Sequence, residues 1–197
     1  MIKFINIDPS KPYHLFMEYY NKANNMQNAA DAIVISSLDL EKNEVDSRYV
    51  NLKIIDGKEF IFFSNYDSPK SYQFKTHNQI SSLMYWSSLN IQVRIKANIK
   101  KIPKKYSDSY FKDRDISKNA LAISSNQSKK IDSYESVVKN YHEVLDKDCL
   151  VNRPSYWGGF AFVPYYFEFW EGQKSRLNRR DVYILDNGNW DHCILQP

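Results

Sequence analysis

The strongest constraint on the fold is a strict two-residue alternation over residues 91–99, Ile-Gln-Val-Arg-Ile-Lys-Ala-Asn-Ile. Apolar residues occupy the odd positions of this segment, and polar residues occupy the even ones. Because successive side chains of a β-strand point to opposite faces, the pattern predicts a half-buried strand. One face of the strand belongs to a core, and the other is polar or lines a site.

Other segments predict further strands and a set of helices. Asp56-Gly57 is a hairpin turn signal between two β-branched runs. Runs of this kind predict strands at 32–38, 47–55, 59–64, 80–87, 160–170, 181–185 and 190–195. Helical spacing and capping residues predict helices at 11–29, 68–77, after Pro103, 116–123 and 133–145. We therefore predict one α+β domain over residues 1–197, an antiparallel sheet closed into a barrel with surrounding helices.

Glycine is scarce, and this limits the possible nucleotide sites. The chain has 5 glycines in 197 residues, and none forms G-x-G-x-x-G or G-x-x-x-x-G-K-[ST]. A Rossmann fold or a P-loop is thereby excluded, so any phosphate would be bound mainly by side chains. The net charge of +4 is too small to predict a nucleic-acid partner. Two cysteines and four histidines without ligand spacing predict no metal site.

The first residues lack a basic segment followed by an apolar one, as a signal peptide would have. No stretch approaches the roughly 18 apolar residues of a membrane span. We therefore expect a cytoplasmic protein without membrane contact.

Arginine is rare beside lysine, since 7 of the 27 basic residues are arginines. Arginine is preferred where a site needs a planar, bidentate donor for phosphate or carboxylate. Four of the seven arginines lie in short stretches that also concentrate aromatic and amide residues. They are Arg48, Arg114, Arg176 and Arg180.

The order and spacing of these stretches resemble the pyridoxamine 5′-phosphate oxidase family, FMN enzymes of vitamin B6 metabolism. The most specific motifs are W-G-G-F at 157–160, E-F-W-E-G at 168–172 and R-L-x-x-R at 176–180. The resemblance extends from about Ala32 to Pro197. It implies an antiparallel split β-barrel that forms a homodimer, with FMN at the subunit interface.

The resemblance also implies a set of site residues. Gln127 and Ser128 match a pair that belongs to the other subunit's share of the site. The implied FMN residues are Arg48, Lys53, Phe63, Ser64, Lys70, Gln92, Gln127, Ser128, Trp170 and Arg180. The implied ligands of the substrate phosphate are Lys53, Tyr110, Arg114 and Lys118. The implied catalytic pair, beside the substrate ring, is Arg176 and Asn178.

The spacing of these residues adds geometric expectations. Tyr110 and Arg114 are four apart and share one face if the segment is helical. Arg176, Asn178 and Arg180 are spaced by two, so an extended chain aims all three the same way. Arg48 and Lys53, five apart, face opposite sides of a regular strand. They either serve two different phosphates, or a bulge lies between them.

The sequence departs from the family pattern at three positions. Pro69 stands where the family usually has arginine, Lys118 where it has serine, and Asn178 where it has histidine. Asparagine keeps hydrogen-bonding capacity but loses the titratable group. Two of the three departures lie in the substrate set, so the resemblance bears more directly on FMN than on the substrate.

The function implied by the resemblance is an FMN-dependent oxidase. It would convert pyridoxamine or pyridoxine 5′-phosphate to pyridoxal 5′-phosphate with dioxygen, giving hydrogen peroxide. One alternative is a divergent split-barrel flavoenzyme with another substrate, such as the phenazine-pathway oxidases. A second alternative is a non-catalytic barrel that binds single-stranded nucleic acid through its basic and aromatic residues.

Overall fold

The computed structural model describes residues 1–147 and 149–197. Nine strands and five helices occur within these residues. In chain order they are β1 (Lys3–Ile5), α1 (Lys11–Met26), β2 (Ala32–Asp39), β3 (Glu44–Asp56), β4 (Glu59–Asn65), α2 (Pro69–Thr76), β5 (Gln79–Trp86), β6 (Ile91–Lys101), α3 (Lys104–Lys112), α4 (Ile116–Ser124), α5 (Tyr134–Leu145), β7 (Trp157–Glu171), β8 (Arg179–Asp186) and β9 (Asn189–Ile194).

The strands form one sheet in the order β1-β3-β2-β5-β6-β7-β8-β9. β4 pairs with both β3 and β7, and this closes the sheet into a barrel. Every pairing is antiparallel except the short parallel contact of β1 with β3. The predicted α+β class and antiparallel barrel are confirmed. β6 shows the predicted alternation, with its odd-numbered residues from Ile91 to Ile99 buried.

Aromatic side chains fill the barrel, and α1 supplies several of them. Phe16 of α1 contacts Phe60 of β4 and Trp86 of β5, with ring centroids 5.1 and 5.6 Å apart. Tyr13, one turn earlier, contacts Phe167 of β7 at 5.3 Å. Each of these side chains is almost fully buried. Much of the aromatic content of the chain therefore serves the core.

A β-bulge lies in β3 at Lys53. The pairing of β3 with β4 shifts register between Leu52 and Ile54, so one extra residue is accommodated there. The alternation of burial breaks at the same point, since Ile54 and Ile55 are both buried. The spacing of Arg48 and Lys53 allowed either two separate phosphates or a bulge in the strand, and the structure contains the bulge.

Most boundaries differ by one to three residues from the sequence-based expectation, and one strand was not predicted. α1 ends at Met26 rather than residue 29, and Ala29 adopts a left-handed backbone. β7 begins at Trp157, earlier than the predicted residue 160, because the W-G-G-F motif pairs with β4. β1 was not predicted, since three residues are too few to show a period.

No helix within the described residues combines the length and apolar character that a membrane crossing requires.

Two neighbouring glycines of β7 lie where a side chain has no room. A Cβ on Gly158 would lie 2.2 Å from Oη of Tyr66, and a Cβ on Gly159 would lie 2.3 Å from Cδ1 of Ile102. Both distances are far below van der Waals contact. These contacts explain the two glycines of the W-G-G-F motif.

We expect Gly158→Ala to lower the free energy of unfolding by about 1–3 kcal/mol, because the added methyl displaces the Tyr66 ring. Urea denaturation measures this quantity. The matched background is Tyr66→Leu, in which the clashing ring is absent and the same glycine substitution should cost much less. An equal loss of unfolding free energy in both backgrounds would show that the contact with the Tyr66 ring is not its cause.

Candidate functional site

A cavity of about 480 Å³ lies between β3, β4, the start of α2, α3 and the segment after α4. Its size is typical of a small-molecule site. Residues from both faces of β3 line it, since Tyr49, Val50 and Asn51 contribute as well as Arg48 and Lys53. The predicted site residues that line it are Arg48, Lys53, Phe63, Ser64, Lys70, Tyr110, Arg114, Gln127 and Ser128.

Arg48 is held on one side of this cavity by acceptors from three elements. Its guanidinium donates to Ile35 O at 3.1 Å, to Ser37 Oγ at 2.7 Å and to Gln73 Oε1 at 3.0 Å. It also forms an ion pair with Asp46, with 2.5 Å between Nη2 and Oδ2. Burial alone would raise the pKa of the Asp46 carboxyl, but Arg48 holds it below its usual value.

Lys70 lies near Arg48 and is buried at 8% exposure. Its Nζ donates to Ser64 Oγ at 3.2 Å and to Ser68 Oγ at 3.1 Å. Burial, together with the positive charge of Arg48, lowers the pKa of Lys70 to about 8. Pro69 begins α2 immediately before it and also lines the cavity. Lys70 is therefore a desolvated cation that an anion would stabilise.

Lys53 is paired with a carboxylate that the sequence did not single out. Its Nζ lies 2.8 Å from Oδ2 of Asp31, which precedes β2. Burial would raise the pKa of Asp31, but the contact with Lys53 lowers it below the usual value. Asp31 is 22 residues from Lys53 in sequence, and only the pairing of β2 with β3 brings them together.

Flat aromatic rings form one wall of the cavity. Phe63 stacks on Tyr110, with centroids 3.7 Å apart and planes 10° apart, and on Trp157, at 5.2 Å and 7°. The guanidinium of Arg114 lies 4.9 Å from the centre of the Trp157 ring. Burial raises the pKa of the Tyr110 hydroxyl and lowers that of Arg114. The wall thus offers a planar surface with a cation and a hydroxyl at its edge.

A second cavity adjoins the first and shares Lys53, Tyr110 and Arg114 with it. Lys118 of α4 lines this second cavity. Arg114, which follows α3, donates from Nη1 to the Lys118 carbonyl at 2.9 Å, and this fixes the segment after α3 against α4. The four residues implied for the substrate phosphate therefore line one cavity, next to most of those implied for FMN.

Three of the implied FMN residues lie elsewhere in this chain. Gln92, Trp170 and Arg180 are direct register partners across β6, β7 and β8, and form what we call the strand row. Side chains at such positions lie side by side on one face of a sheet. No member of the strand row is among the described residues that line the first cavity.

A buried carboxylate anchors the strand row. Glu168 is 1% exposed and accepts from Arg180 Nε at 2.8 Å, from Arg94 Nη1 at 2.9 Å and from the Tyr166 hydroxyl at 2.8 Å. One negative charge is thus shared by two guanidinium groups. Neither Glu168 nor Arg94 was singled out from the sequence, although Glu168 belongs to the E-F-W-E-G motif.

Arg176 and Asn178 lie between β7 and β8, and the extended geometry expected for them is wrong. Arg176 has a left-handed backbone with φ +62°, and Asn178 Oδ1 accepts from the Gln173 backbone N–H at 3.0 Å. The segment therefore turns before β8 begins at Arg179. Ser128 is also left-handed, at φ +67°. Backbone conformations of this kind are uncommon outside glycine and concentrate at functional sites.

Gln127 and Ser128 line the cavity of their own chain, beside Arg48. The resemblance assigned them to the other subunit's share of the site, but a single chain already brings them near Arg48. Within the described residues, no group of three His, Cys, Asp or Glu side chains stands close enough to hold a metal ion.

This chain matches known families and proteins in its sequence. The family model described as pyridoxamine 5′-phosphate oxidase matches residues 22–148, and the one described as the pyridoxine 5′-phosphate oxidase C-terminal dimerisation region matches residues 157–197. A pyridoxine/pyridoxamine 5′-phosphate oxidase of Legionella pneumophila (strain Lens) is 35% identical over 175 residues, covering 88% of this chain and 81% of the relative. One from Haemophilus influenzae (strain 86-028NP) is 36% identical over 188 residues, covering 94% and 89%.

These matches show that the chain belongs to the pyridoxamine 5′-phosphate oxidase family, a family of oxidoreductases. Among solved structures, PhzG from Burkholderia lata 383, in complex with tetrahydrophenazine-1-carboxylic acid, has a TM-score of 0.90 at 24% identity and covers 96% of this chain and 94% of its own. An FMN-binding protein from Nostoc punctiforme has a TM-score of 0.82 at 12% identity, covering 95% and 99%. At these identities the likeness shows the fold, which is the predicted split barrel.

Proposed function

We propose that this protein is an FMN-dependent oxidase that converts pyridoxamine or pyridoxine 5′-phosphate to pyridoxal 5′-phosphate. The observation that carries the proposal is the pair of adjoining cavities. Seven of the ten residues implied for FMN line the first cavity, and all four implied for the substrate phosphate line the second. Relatives with pyridoxine/pyridoxamine 5′-phosphate oxidase names support the same substrate class.

The residues of the first cavity fit FMN in their chemistry. Arg48 and the desolvated Lys70 supply two cations for the phosphate, and Ser64 and Ser128 supply hydroxyls. The aromatic wall of Phe63, with Tyr110 and Trp157, supplies a planar surface beside them. Side chains rather than glycine-rich backbone would hold the phosphate, as the scarcity of glycine predicts.

The residues of the second cavity would bind and orient the substrate. Lys53, Arg114 and Lys118 neutralise the phosphate dianion, and the Tyr110 hydroxyl donates to it. FMN, when bound, would supply a two-electron acceptor for a hydride from the substrate and would be reoxidised by dioxygen, giving hydrogen peroxide. With the amine substrate, water would hydrolyse the resulting imine and ammonia would leave. The contribution of the chain is to align the substrate carbon for that transfer.

We also propose a homodimer in which a second copy completes the site. The strand row and the segment of Arg176 and Asn178 lie away from the first cavity of their own chain. All of them except Gln92 fall within residues 157–197, the part matched as a dimerisation region. A second copy that brings these residues against the cavity would add Trp170 and Arg180 to FMN, and Arg176 and Asn178 to the substrate ring.

The direct test is turnover by the purified, FMN-loaded protein. With pyridoxamine 5′-phosphate we expect oxygen consumption, with hydrogen peroxide and pyridoxal 5′-phosphate formed in equal amounts. Pyridoxamine, which lacks the phosphate, is the control and should react far more slowly. A flavin-loaded protein that turns over neither pyridoxamine nor pyridoxine 5′-phosphate would overturn the assignment.

A second candidate is a flavoenzyme of this fold with another substrate. Two departures in the substrate set favour it, Lys118 and Asn178, and the Asn178 side chain is already engaged with the Gln173 backbone. Bleaching of the flavin without oxygen, measured across a panel of substrates, separates the two candidates. Membership of an oxidoreductase family leaves the nucleic-acid-binding barrel without support.

Lys70 makes FMN affinity depend on pH. In the free protein this ammonium loses its proton near pH 8, and a bound phosphate would raise its pKa again. Binding above pH 8 then requires uptake of a proton, so affinity is highest below pH 8 and falls as pH rises. We expect a loss of about tenfold between about pH 7.5 and 9.5, measured by fluorescence titration with FMN.

The matched variant for this prediction is Lys70→Arg, because a guanidinium stays charged throughout this range. Its affinity should be nearly constant above pH 8. The same decline in both proteins would show that another group titrates, and would contradict the role of Lys70.

A further inference from the structure

Arg48 has more acceptors than its orientation requires. Three of them are neutral and come from the body of the protein, namely the Ile35 carbonyl, the Ser37 hydroxyl and the Gln73 amide oxygen. Ser37 and Gln73 are also bonded to each other at 2.5 Å, and both are buried. These groups hold the guanidinium in place without help from a charge.

Asp46 is the fourth acceptor and differs from the others. Its side chain is 54% exposed, while the Arg48 side chain is 17% exposed. Among the described residues that line the first cavity, Asp46 is the single acid. Because the acid of this ion pair is more than half exposed, the pair adds little to stability. A carboxylate here repels the anion that the surrounding cations would attract.

We propose that Asp46 sets the affinity of the cavity for FMN by occupying the face of Arg48 that binds the phosphate. In the free protein the Asp46 carboxylate takes this position, and on binding it yields the position to the phosphate. The inference rests on the proposed function, since it needs FMN to be the ligand. It assigns a role to a residue that neither the motifs nor the resemblance singled out.

The charge of Asp46 determines whether its removal strengthens or weakens FMN binding. Removal of the Asp46 charge leaves Arg48 oriented by its neutral acceptors and removes a competitor for its free N–H groups. It also removes one repulsion of a dianion at close range, which is worth about tenfold in affinity under largely aqueous screening. We therefore expect Asp46→Asn to bind FMN about tenfold more tightly than the natural sequence.

The experiment measures FMN and riboflavin affinities for the unaltered protein, for Asp46→Asn and for a control, Glu44→Gln. Glu44 lies two residues earlier on β3, carries the same charge and does not line the cavity. Riboflavin shares the ring system but has no phosphate. The expected result is tighter FMN binding in Asp46→Asn alone, with riboflavin affinity nearly unchanged. Thermal unfolding of each protein confirms that all three are folded.

Each other outcome has a definite reading. Unchanged or weaker FMN binding in Asp46→Asn overturns the inference, since it makes Asp46 a support for Arg48 rather than a competitor. An equal gain for riboflavin also overturns it, because the effect would not act through the phosphate. If the unaltered protein does not prefer FMN to riboflavin, the proposed phosphate site fails. A preserved preference together with an unaffected variant overturns this inference alone.

Discussion

Replacing Arg48 with methionine is expected to weaken FMN binding by about a hundredfold. The substitution keeps most of the aliphatic stem but removes the planar donor that would bind the phosphate. Two charge-assisted hydrogen bonds, each worth about 1.5–3 kcal/mol, account for a loss of at least this size. Arg48→Lys keeps the charge without the fork, so it should bind FMN with an intermediate affinity.

Fluorescence titration with FMN and riboflavin measures this prediction. Arg179→Met is the matched control, because Arg179 is exposed and pairs with Asp181 outside the cavity. Its FMN affinity should be unchanged. A similar loss of riboflavin binding in Arg48→Met would indicate a collapsed cavity, and full retention of FMN would place the phosphate away from Arg48.

Replacing Arg114 with alanine is expected to lower kcat/KM for pyridoxamine 5′-phosphate by about a hundredfold or more. Arg114 is held over Trp157 and against α4, so its guanidinium is preorganised between the two cavities. Its loss removes a bidentate, partly desolvated contact with the substrate phosphate. Most of the change should appear in KM, since the contact is made before and during the reaction.

The ratio of kcat/KM values for pyridoxamine 5′-phosphate and pyridoxamine identifies the cause. In Arg114→Ala this preference for the phosphate should largely disappear, whereas activity on pyridoxamine itself should change little. Lys112→Ala is the control, because Lys112 is exposed at the end of α3, two residues before Arg114, and lines neither cavity. An Arg114→Ala protein that keeps the full preference would exclude Arg114 from the phosphate subsite.

The strands, the helices and most of the cavity lining could be predicted from the sequence. The alternation of β6 is local, and so are the turn at Asp56-Gly57 and the helix that carries Tyr110. Arg48 and Arg114 were found because arginine is rare in this chain, whereas Phe63, Ser64 and Lys70 were found only through the resemblance to the family. Such signals require no knowledge of which strand lies beside which.

The counter-charges could not be predicted, because they depend on strand register. Asp31 meets Lys53 only when β2 pairs with β3, and Glu168 meets Arg94 only when β7 pairs with β6. The bulge at Lys53 likewise depends on the pairing of β3 with β4, in which β3 has one extra residue. The turn at Arg176 was missed for a different reason, since a two-residue spacing predicts direction only where the chain is extended.

The separation of the cavity from the strand row links two equilibria in the proposed homodimer. A ligand that touches both surfaces binds the pair of chains more tightly than one chain alone. Reciprocity then requires the ligand to strengthen the association of the two chains by the same factor. Flavin content and oligomeric state should therefore change together. Dilution of the protein should release the cofactor and dissociate the dimer over the same concentration range.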